Sequence, residues 1–136
     1  MKKIKLLVTT CLLGSSLALA TPSPKGAKVY ILSPQDGAMV SSPVKVTFGL
    51  SGMGVAPAGV DKPKTGHHHL IIDAATPAAG KPVGKDDMHR HFGGGQTETL
   101  LKLKPGKHTL QLIMGDKAHI PHNPPVISDK ITITVK

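Results

Sequence analysis

Apolar and polar residues alternate with a period of two along most of the chain after residue 26. The alternating segments are rich in Val, Ile, Thr and Leu, and clusters of Pro and Gly separate them, which is typical of short strands joined by turns. No stretch of about 11 residues carries the apolar stripe of an amphipathic helix. The pattern predicts seven strands, at residues 27–33, 43–50, 67–73, 88–92, 97–103, 107–114 and 126–135.

Seven short strands in a region of this size predict an all-β fold, an immunoglobulin-like β-sandwich of about seven strands. Turn residues support several boundaries, because Pro34–Gly37 follows the first strand, Lys104–Lys107 separates the fifth from the sixth, and Pro124-Pro125 precedes the last. We expect the sandwich domain to span residues 27–136, after a flexible lead-in at residues 21–26.

The first twenty residues have the three parts of a secretory signal. Basic residues at positions 2, 3 and 5 precede an apolar run from Leu6 to Leu13, and Ala18-Leu19-Ala20 has the small-x-small pattern of a cleavage site. The apolar run is shorter than the roughly 20 residues that a membrane-spanning helix needs. We therefore predict that residues 1–20 are a cleaved signal peptide, that the protein is exported to the periplasm, and that no transmembrane segment remains after cleavage.

Cleavage would change the chemistry available to the chain. Cys11, the single cysteine, would leave with the signal, so disulfides, a thiolate nucleophile and cysteine metal ligands are not expected. The three lysines of the signal would leave too, lowering the formal net charge from +9 to +6. The chain has no Trp, one Tyr and two Phe, and therefore lacks an aromatic platform for bases. We expect no nucleic-acid partner.

Histidine is the most informative residue type in this sequence. The chain has eight histidines, and six of them form three close pairs, which are His67 with His69, His89 with His91, and His119 with His122. Residues i and i+2 of a strand point to the same face, about 6 to 7 Å apart, so that His68 must face the other way. If consecutive strands run alternately up and down, His67, His69 and His91 lie at the same end of the sandwich as the loop that carries His119 and His122, with His89 as a possible additional ligand.

Several imidazoles meeting at one end would suit copper or zinc, with the six paired histidines as candidate ligands. Met53, Met88 and Met114 are possible thioether ligands or core residues. The carboxylates of residues 73, 86, 87 and 116 are possible hydrogen-bond partners of the imidazoles or turn residues. Imidazole ligation predicts that affinity falls below about pH 6. Alternatively the histidines only hold loops by hydrogen bonds, where Gly66 and Gly93–Gly95 mark close backbone approaches.

His108 is excluded from the candidate set, because it opens the sixth predicted strand at the opposite end. Common catalytic motifs are absent from the sequence, and its single glutamate is Glu98. We predict a non-catalytic binding domain with no catalytic residues. The alternatives are a metal-free interaction module for an envelope protein or anionic glycan, and a copper redox enzyme.

Four motifs resemble those of a known family, namely residues 52–59 (GMGVAPAG), 66–73 (GHHHLIID), 91–98 (HFGGGQTE) and 119–126 (HIPHNPPV). Taken together, they resemble a family of small exported bacterial proteins that is described as a domain of unknown function. The resemblance implies a compact β domain in the periplasm or cell envelope, and it implies no particular activity.

Overall fold

The computed structural model of the protein describes residues 19–136. The predicted signal peptide lies outside these residues, except for its last two positions. The secondary structure of the described part is entirely β, with no helix, and the predicted all-β class is confirmed. Among these residues there is accordingly no helix of the length and apolarity that a membrane crossing requires.

The strands of the described chain form two sheets. A three-stranded sheet has the order β1-β3-β7, and a larger one has the order β2-β9-β8-β5-β4, with β6 also paired to β5. The strands are β1 (Lys28–Ser33), β2 (Met39–Val40), β3 (Val44–Ser51), β4 (Gly54–Val55), β5 (Thr65–Ile72), β6 (His89–His91), β7 (Glu98–Leu101), β8 (Gly106–Gly115) and β9 (Ile131–Val135).

The two sheets enclose the main apolar core in a sandwich-like arrangement. Val46 and Phe48 of β3 face Leu70 of β5 and Leu112 of β8, and all four side chains are buried. Burying this much aliphatic and aromatic surface is the dominant stabilising contribution in a domain with few aromatics. The alternation seen in the sequence therefore reflects one face of each sheet turned towards the core.

The last predicted strand, at residues 126–135, is shorter in the structure because its first half leaves the regular ladder. Ile127 forms an isolated bridge with Ile113, and regular pairing resumes only at Ile131. Between them the hydroxyl of Ser128 accepts a hydrogen bond from the amide of Leu112 at 2.9 Å. A side-chain oxygen thus replaces a backbone carbonyl, which is how serine competes with a strand ladder.

Strand β5 is buried on both faces, which is unusual in an antiparallel sheet with one solvated side. Its inner face carries Leu70 and Ile72, which join the main core. Its outer face carries Ile71, which packs with Val83 and Ile113 in a second, smaller apolar cluster. The segments that contain Val83 and His119 cover this outer face, since the Val83 amide donates to the His119 carbonyl at 2.8 Å.

Candidate metal centre

Two strands, β5 and β6, and the loop after β8 bring four histidines to the outer face of β5. His67 and His69 alternate with the inward-facing His68, and His91 of β6 is the direct cross-strand partner of His69. His67 lies opposite Gly115, the last residue of β8, and the loop that follows β8 carries His119 back over the sheet. The up-and-down strand directions expected from the sequence therefore do place these residues at one end of the sandwich.

The ring nitrogens of these four residues lie close together. His67 Nε2 is 2.9 Å from His69 Nε2 and 3.1 Å from His119 Nδ1. One nitrogen from each of His67, His69, His91 and His119 lies within 4.8 Å of the others, and the four could together hold a metal ion. We call these four residues the histidine cluster.

The spacing within the histidine cluster fits a single first-row metal ion. Bonds from Zn²⁺ to imidazole are about 2.0 to 2.1 Å long, which places tetrahedral donors about 3.4 Å apart and opposite donors of a planar site about 4.1 Å apart. The nitrogen–nitrogen distances run from 2.9 Å to at most 4.8 Å, so movements of about 1 Å or less per ring would bring the four nitrogens to bonding distance from one ion.

Burial keeps His67, His69 and His91 neutral, which is the form of imidazole that binds metals. Burial, followed by repulsion from His91 and His119, lowers the pKa of His67 to about 4. Burial, followed by repulsion from His67, His91 and His119, lowers the pKa of His69 to about 3. Burial likewise lowers the pKa of His91, with smaller effects from His119 and Lys85. At neutral pH these three rings therefore have lone pairs to offer.

Two buried nitrogens of the cluster have no hydrogen-bond partner within the described chain. They are Nδ1 of His69 and Nε2 of His91. An unpaired buried polar atom costs about 1 to 3 kcal/mol. A metal ion bound to His69 Nε2, the nitrogen next to His67, would leave Nδ1 of the same ring with its proton and still without a partner, so the case for a metal rests on the approach of the four rings and not on these unpaired atoms.

Two glycines make room for the imidazoles. A Cβ atom on Gly115 would lie 2.7 Å from His69 Nε2, and one on Gly93 would lie 2.7 Å from His91 Nε2. Both distances are shorter than any ordinary van der Waals contact, so a larger residue would displace the ring. Gly93 belongs to the glycine run noted in the sequence, whereas nothing in the sequence pattern distinguished Gly115.

We predict that Gly115→Ala weakens metal binding at least about tenfold, because the new methyl group forces His69 Nε2 out of the cluster. Isothermal titration of the folded variant with Zn(II) measures the change. The matched control is Gly84→Ala, because a Cβ atom on Gly84 would lie 3.7 Å from its nearest neighbour, an ordinary contact distance. Gly80 is unsuitable as a control, because its positive φ of 75° would strain an alanine. Equal affinities of Gly115→Ala and Gly84→Ala would contradict this account.

The structure places the remaining two candidate ligands away from the cluster. His89 Nδ1 lies 2.8 Å from Asp86 Oδ1. Both nitrogens of His122 face backbone carbonyls, Nδ1 at 3.4 Å from Met114 and Nε2 at 3.2 Å from Thr65. His122 thus fastens the loop after β8 to the neighbouring strands.

The carboxylates of the described chain do not hydrogen-bond to the cluster imidazoles. Asp73 binds His108 Nδ1 at 2.7 Å and the Thr109 amide at 2.8 Å, and Asp86 holds His89. Asp116 accepts bonds from the amides of the loop that carries His119. The carboxylates therefore act as turn and loop residues. The thioethers of Met53 and Met114 pack in the main core.

A pocket of about 210 Å³ adjoins the cluster and gives it access to solvent. It is lined by His69, Val83, Lys85, His91 and His119. Val83 and Lys85 come from an irregular segment between β5 and β6, so no periodicity in the sequence could have placed them here. An ion could enter from this side, past the half-buried rings of His91 and His119.

His68 belongs to the core and not to the metal centre. Its ring centroid lies 5.0 Å from that of Phe48, and both of its buried nitrogens lack a partner in the described part of the chain. Burial lowers the pKa of His68 to about 4. The residue thus costs stability that an apolar residue of similar size would not cost.

We predict that His68→Leu raises the free energy of unfolding by about 1 kcal/mol or more at pH 7, because it removes two unpaired buried nitrogens. Urea unfolding measures the change, and metal titration should give the parent affinity. A loss of stability would show that the imidazole has a stabilising role in the core.

The comparisons with known proteins identify a family. The family model described as "Domain of unknown function (DUF4399)" matches residues 46–136, a range that includes the whole histidine cluster. Comparisons with curated proteins and with solved structures give no match. Because the family model covers more than half of the chain, the protein belongs to the family described as domain of unknown function DUF4399.

Proposed function

We propose that this protein is an exported, non-catalytic binding domain that holds one Cu(II) or Zn(II) ion in the periplasm or cell envelope. The ligands would be His67, His69, His91 and His119. The observation that carries the proposal is the approach of four ring nitrogens, one from each residue, to within 4.8 Å of one another. The signal-like sequence of residues 1–20 supports the export, since a basic start, an apolar run and a small-x-small site are all present.

The donor set favours these two metals over others. Calcium and magnesium prefer oxygen ligands, whereas neutral imidazole is a good ligand for zinc and copper. The described chain has no cysteine, and two of the three candidate thioethers, those of Met53 and Met114, are packed in the core, so imidazole is the main donor type of the site. Among divalent ions a nitrogen site of this kind binds Cu(II) more tightly than Zn(II).

The number of protein ligands favours binding over catalysis. Four protein donors complete a tetrahedral coordination sphere, whereas catalytic zinc sites leave one position to water or substrate. The cluster also lacks a carboxylate that could act as a general base beside the ion, because Asp86 and Asp116 are engaged elsewhere. A domain of this kind would store, carry or sense the ion.

Titration of the processed protein with Cu(II) and Zn(II) tests the proposal. We expect one ion per chain, tighter binding of Cu(II), and either metal in elemental analysis of protein purified from its native compartment without a metal column. Saturation well below one ion per chain would contradict the proposal. A pull-down from envelope extract with chelator present tests the metal-free alternative, because only that alternative predicts that a protein or anionic glycan stays bound.

A further inference from the structure

Asp116 is a buried carboxylate beneath the loop that carries His119. Its residue is 3% exposed. Oδ1 accepts hydrogen bonds from the amides of Ala118 at 2.9 Å and Ile120 at 3.0 Å. The carboxylate therefore shapes the turn between them, in which the His119 amide also donates to the Asp116 carbonyl at 2.9 Å.

The turn needs this support, because His119 has a φ of +65°. This left-handed conformation is uncommon for residues other than glycine, and it persists when surrounding contacts hold it. The hydrogen bonds to Asp116 on either side of His119 supply such contacts. The position of Nδ1 of His119 in the cluster thus depends on Asp116.

No cationic side chain pairs with Asp116 in the part of the chain that the structure describes. The ion pairs there join Lys45 to Glu98, Lys117 to Asp61, His89 to Asp86 and His108 to Asp73. A buried carboxylate without a positive partner is expensive. Its second oxygen, Oδ2, instead faces Thr21, whose hydroxyl lies at 2.9 Å and whose backbone nitrogen lies at 3.2 Å.

The backbone of Thr21 is held in place from the other side as well. The Asn123 amide donates to the Thr21 carbonyl at 3.0 Å, and the Ser23 amide donates to the Asn123 carbonyl at 3.1 Å. Pro22 and Asn123 form a parallel bridge. The start of the lead-in, which we expected to be flexible, is therefore attached to the loop after β8.

We propose that removal of the signal peptide between Ala20 and Thr21 creates the missing cation, and that the new α-ammonium group of Thr21 forms a partly buried ion pair with Asp116 that fixes the His119 loop. In this step a signal peptidase hydrolyses the Ala20–Thr21 peptide bond with one water molecule. The cut leaves a carboxylate on Ala20 and an ammonium group on Thr21. The inference rests on the proposed export and extends the proposed metal site, because the loop that carries the ligand His119 is held by an ion pair only in the processed chain.

The charge appears at the right atom for a strong interaction. The nitrogen that becomes the ammonium group already lies 3.2 Å from Oδ2, and the residues around it are fixed. Hydrogen bonds between charged partners are roughly twice as strong as neutral ones, and burial reduces their screening by solvent. Processing would thus convert a neutral contact into an ion pair without moving the backbone.

The experiment compares the processed chain that begins at Thr21 with a matched chain that begins at Ala20, each as the parent and as Asp116→Asn. The Ala20 chain keeps the Thr21 amide and hydroxyl but moves the charge by one residue, about 3.8 Å between Cα atoms. We expect its melting temperature to be about 4 °C lower. We expect its Zn(II) affinity to be about threefold to tenfold weaker, because Asp116 then holds the turn that carries His119 less firmly. In the Asp116→Asn background the two starting points should give equal values.

A second measurement does not depend on the folding of Asp116→Asn. Acylation of the terminal amine near neutral pH should be at least about tenfold slower in the chain that begins at Thr21 than in the chain that begins at Ala20, because an ammonium group that is partly buried and paired with a carboxylate loses its proton less readily. Equal acylation rates, equal melting temperatures, or a native N-terminus at another residue by mass spectrometry would overturn the inference. Loss of metal binding in both chains, with the difference in melting temperature retained, would overturn the proposed metal function and leave the ion pair standing.

Discussion

Metal binding is expected to be lost in the double variant His67→Ala with His69→Ala, by at least about a hundredfold in affinity. These residues supply two of the four nitrogens, and His67 Nε2 contacts two of the other rings at 2.9 and 3.1 Å. Mutating a group that only orients a metal ligand already costs about tenfold to a hundredfold, so removing two ligands should cost more. Competition with a chelator of known affinity measures the loss for Cu(II) and for Zn(II).

Matched variants separate ligation from a general effect of losing imidazole. His89→Ala and His108→Ala should keep the parent affinity, because Asp86 holds the first ring and Asp73 holds the second at the opposite end of the domain. His119→Gln tests the same ligand set if the double variant fails to fold, because it changes a ligand on a loop and leaves β5 intact. We expect His119→Gln to weaken metal binding as well. Unchanged binding in the folded double variant, or equal losses in all these variants, would refute the proposed ligand set.

Acidification of the metal-free protein from pH 7 to pH 4.5 is expected to lower its melting temperature by about 10 °C or more. The sign follows from the lowered pKa values of the buried rings, about 4 for His67, about 4 for His68 and about 3 for His69. In the unfolded chain these groups take up protons near pH 6.5, whereas in the folded protein they resist until pH 4 or below. Their stability contribution is therefore complete above about pH 6.5 and is lost progressively as the pH falls.

Other titrating groups provide the control for this result. The hydrogen bond to Asp73, with a second to the Lys104 carbonyl, raises the pKa of His108, so its contribution has the opposite sign and is lost as the pH rises. His108→Gln should therefore retain the acid sensitivity, whereas His68→Leu should reduce it. A melting temperature that stays constant between pH 7 and pH 4.5 would contradict the burial of these three rings as neutral groups.

The same burial changes the pH dependence expected for metal binding. From the ordinary pKa of histidine we expected affinity to fall below about pH 6. Protons compete with the metal only where they can bind the free rings, and the pKa values of His67, His69 and His91 are all lowered. We therefore expect the affinity to begin to fall at a lower pH than the ordinary pKa of histidine indicates.

Seven of the nine strands in the described chain, and the faces of their residues, were predictable from the sequence, because both follow from local alternation. The other two, β2 and β4, were not predicted, because each has only two residues and shows no alternation. The predicted strand at 67–73 is β5, Thr65–Ile72, and the predicted strand at 88–92 is β6, His89–His91. The opposite directions of His68 and its two neighbours follow from the pleat of any strand. The predicted strand at 126–135 is shorter, since the hydroxyl of Ser128 satisfies the Leu112 amide.

The composition of the site was predictable only in part. The spacing of His67 and His69 puts both on one face, and strand direction puts His91 and the loop after β8 at the same end. The spacing of His89 and His91 does not show which of the two lies beside the histidines of β5. His91 lies opposite His69, whereas His89 lies opposite Ile71, two residues farther along, and binds Asp86 instead.

The tertiary structure alone decided the environment of the cluster. Gly115 is adjacent to His69 because of the β5 and β8 register, and Val83 and Lys85 reach the pocket from an irregular segment. Thr21 meets Asp116 across 95 residues of chain. The local pattern of a sequence encodes which face a side chain takes, because the backbone geometry is periodic. It does not encode contacts between distant irregular segments, because these depend on the register and packing of the whole domain.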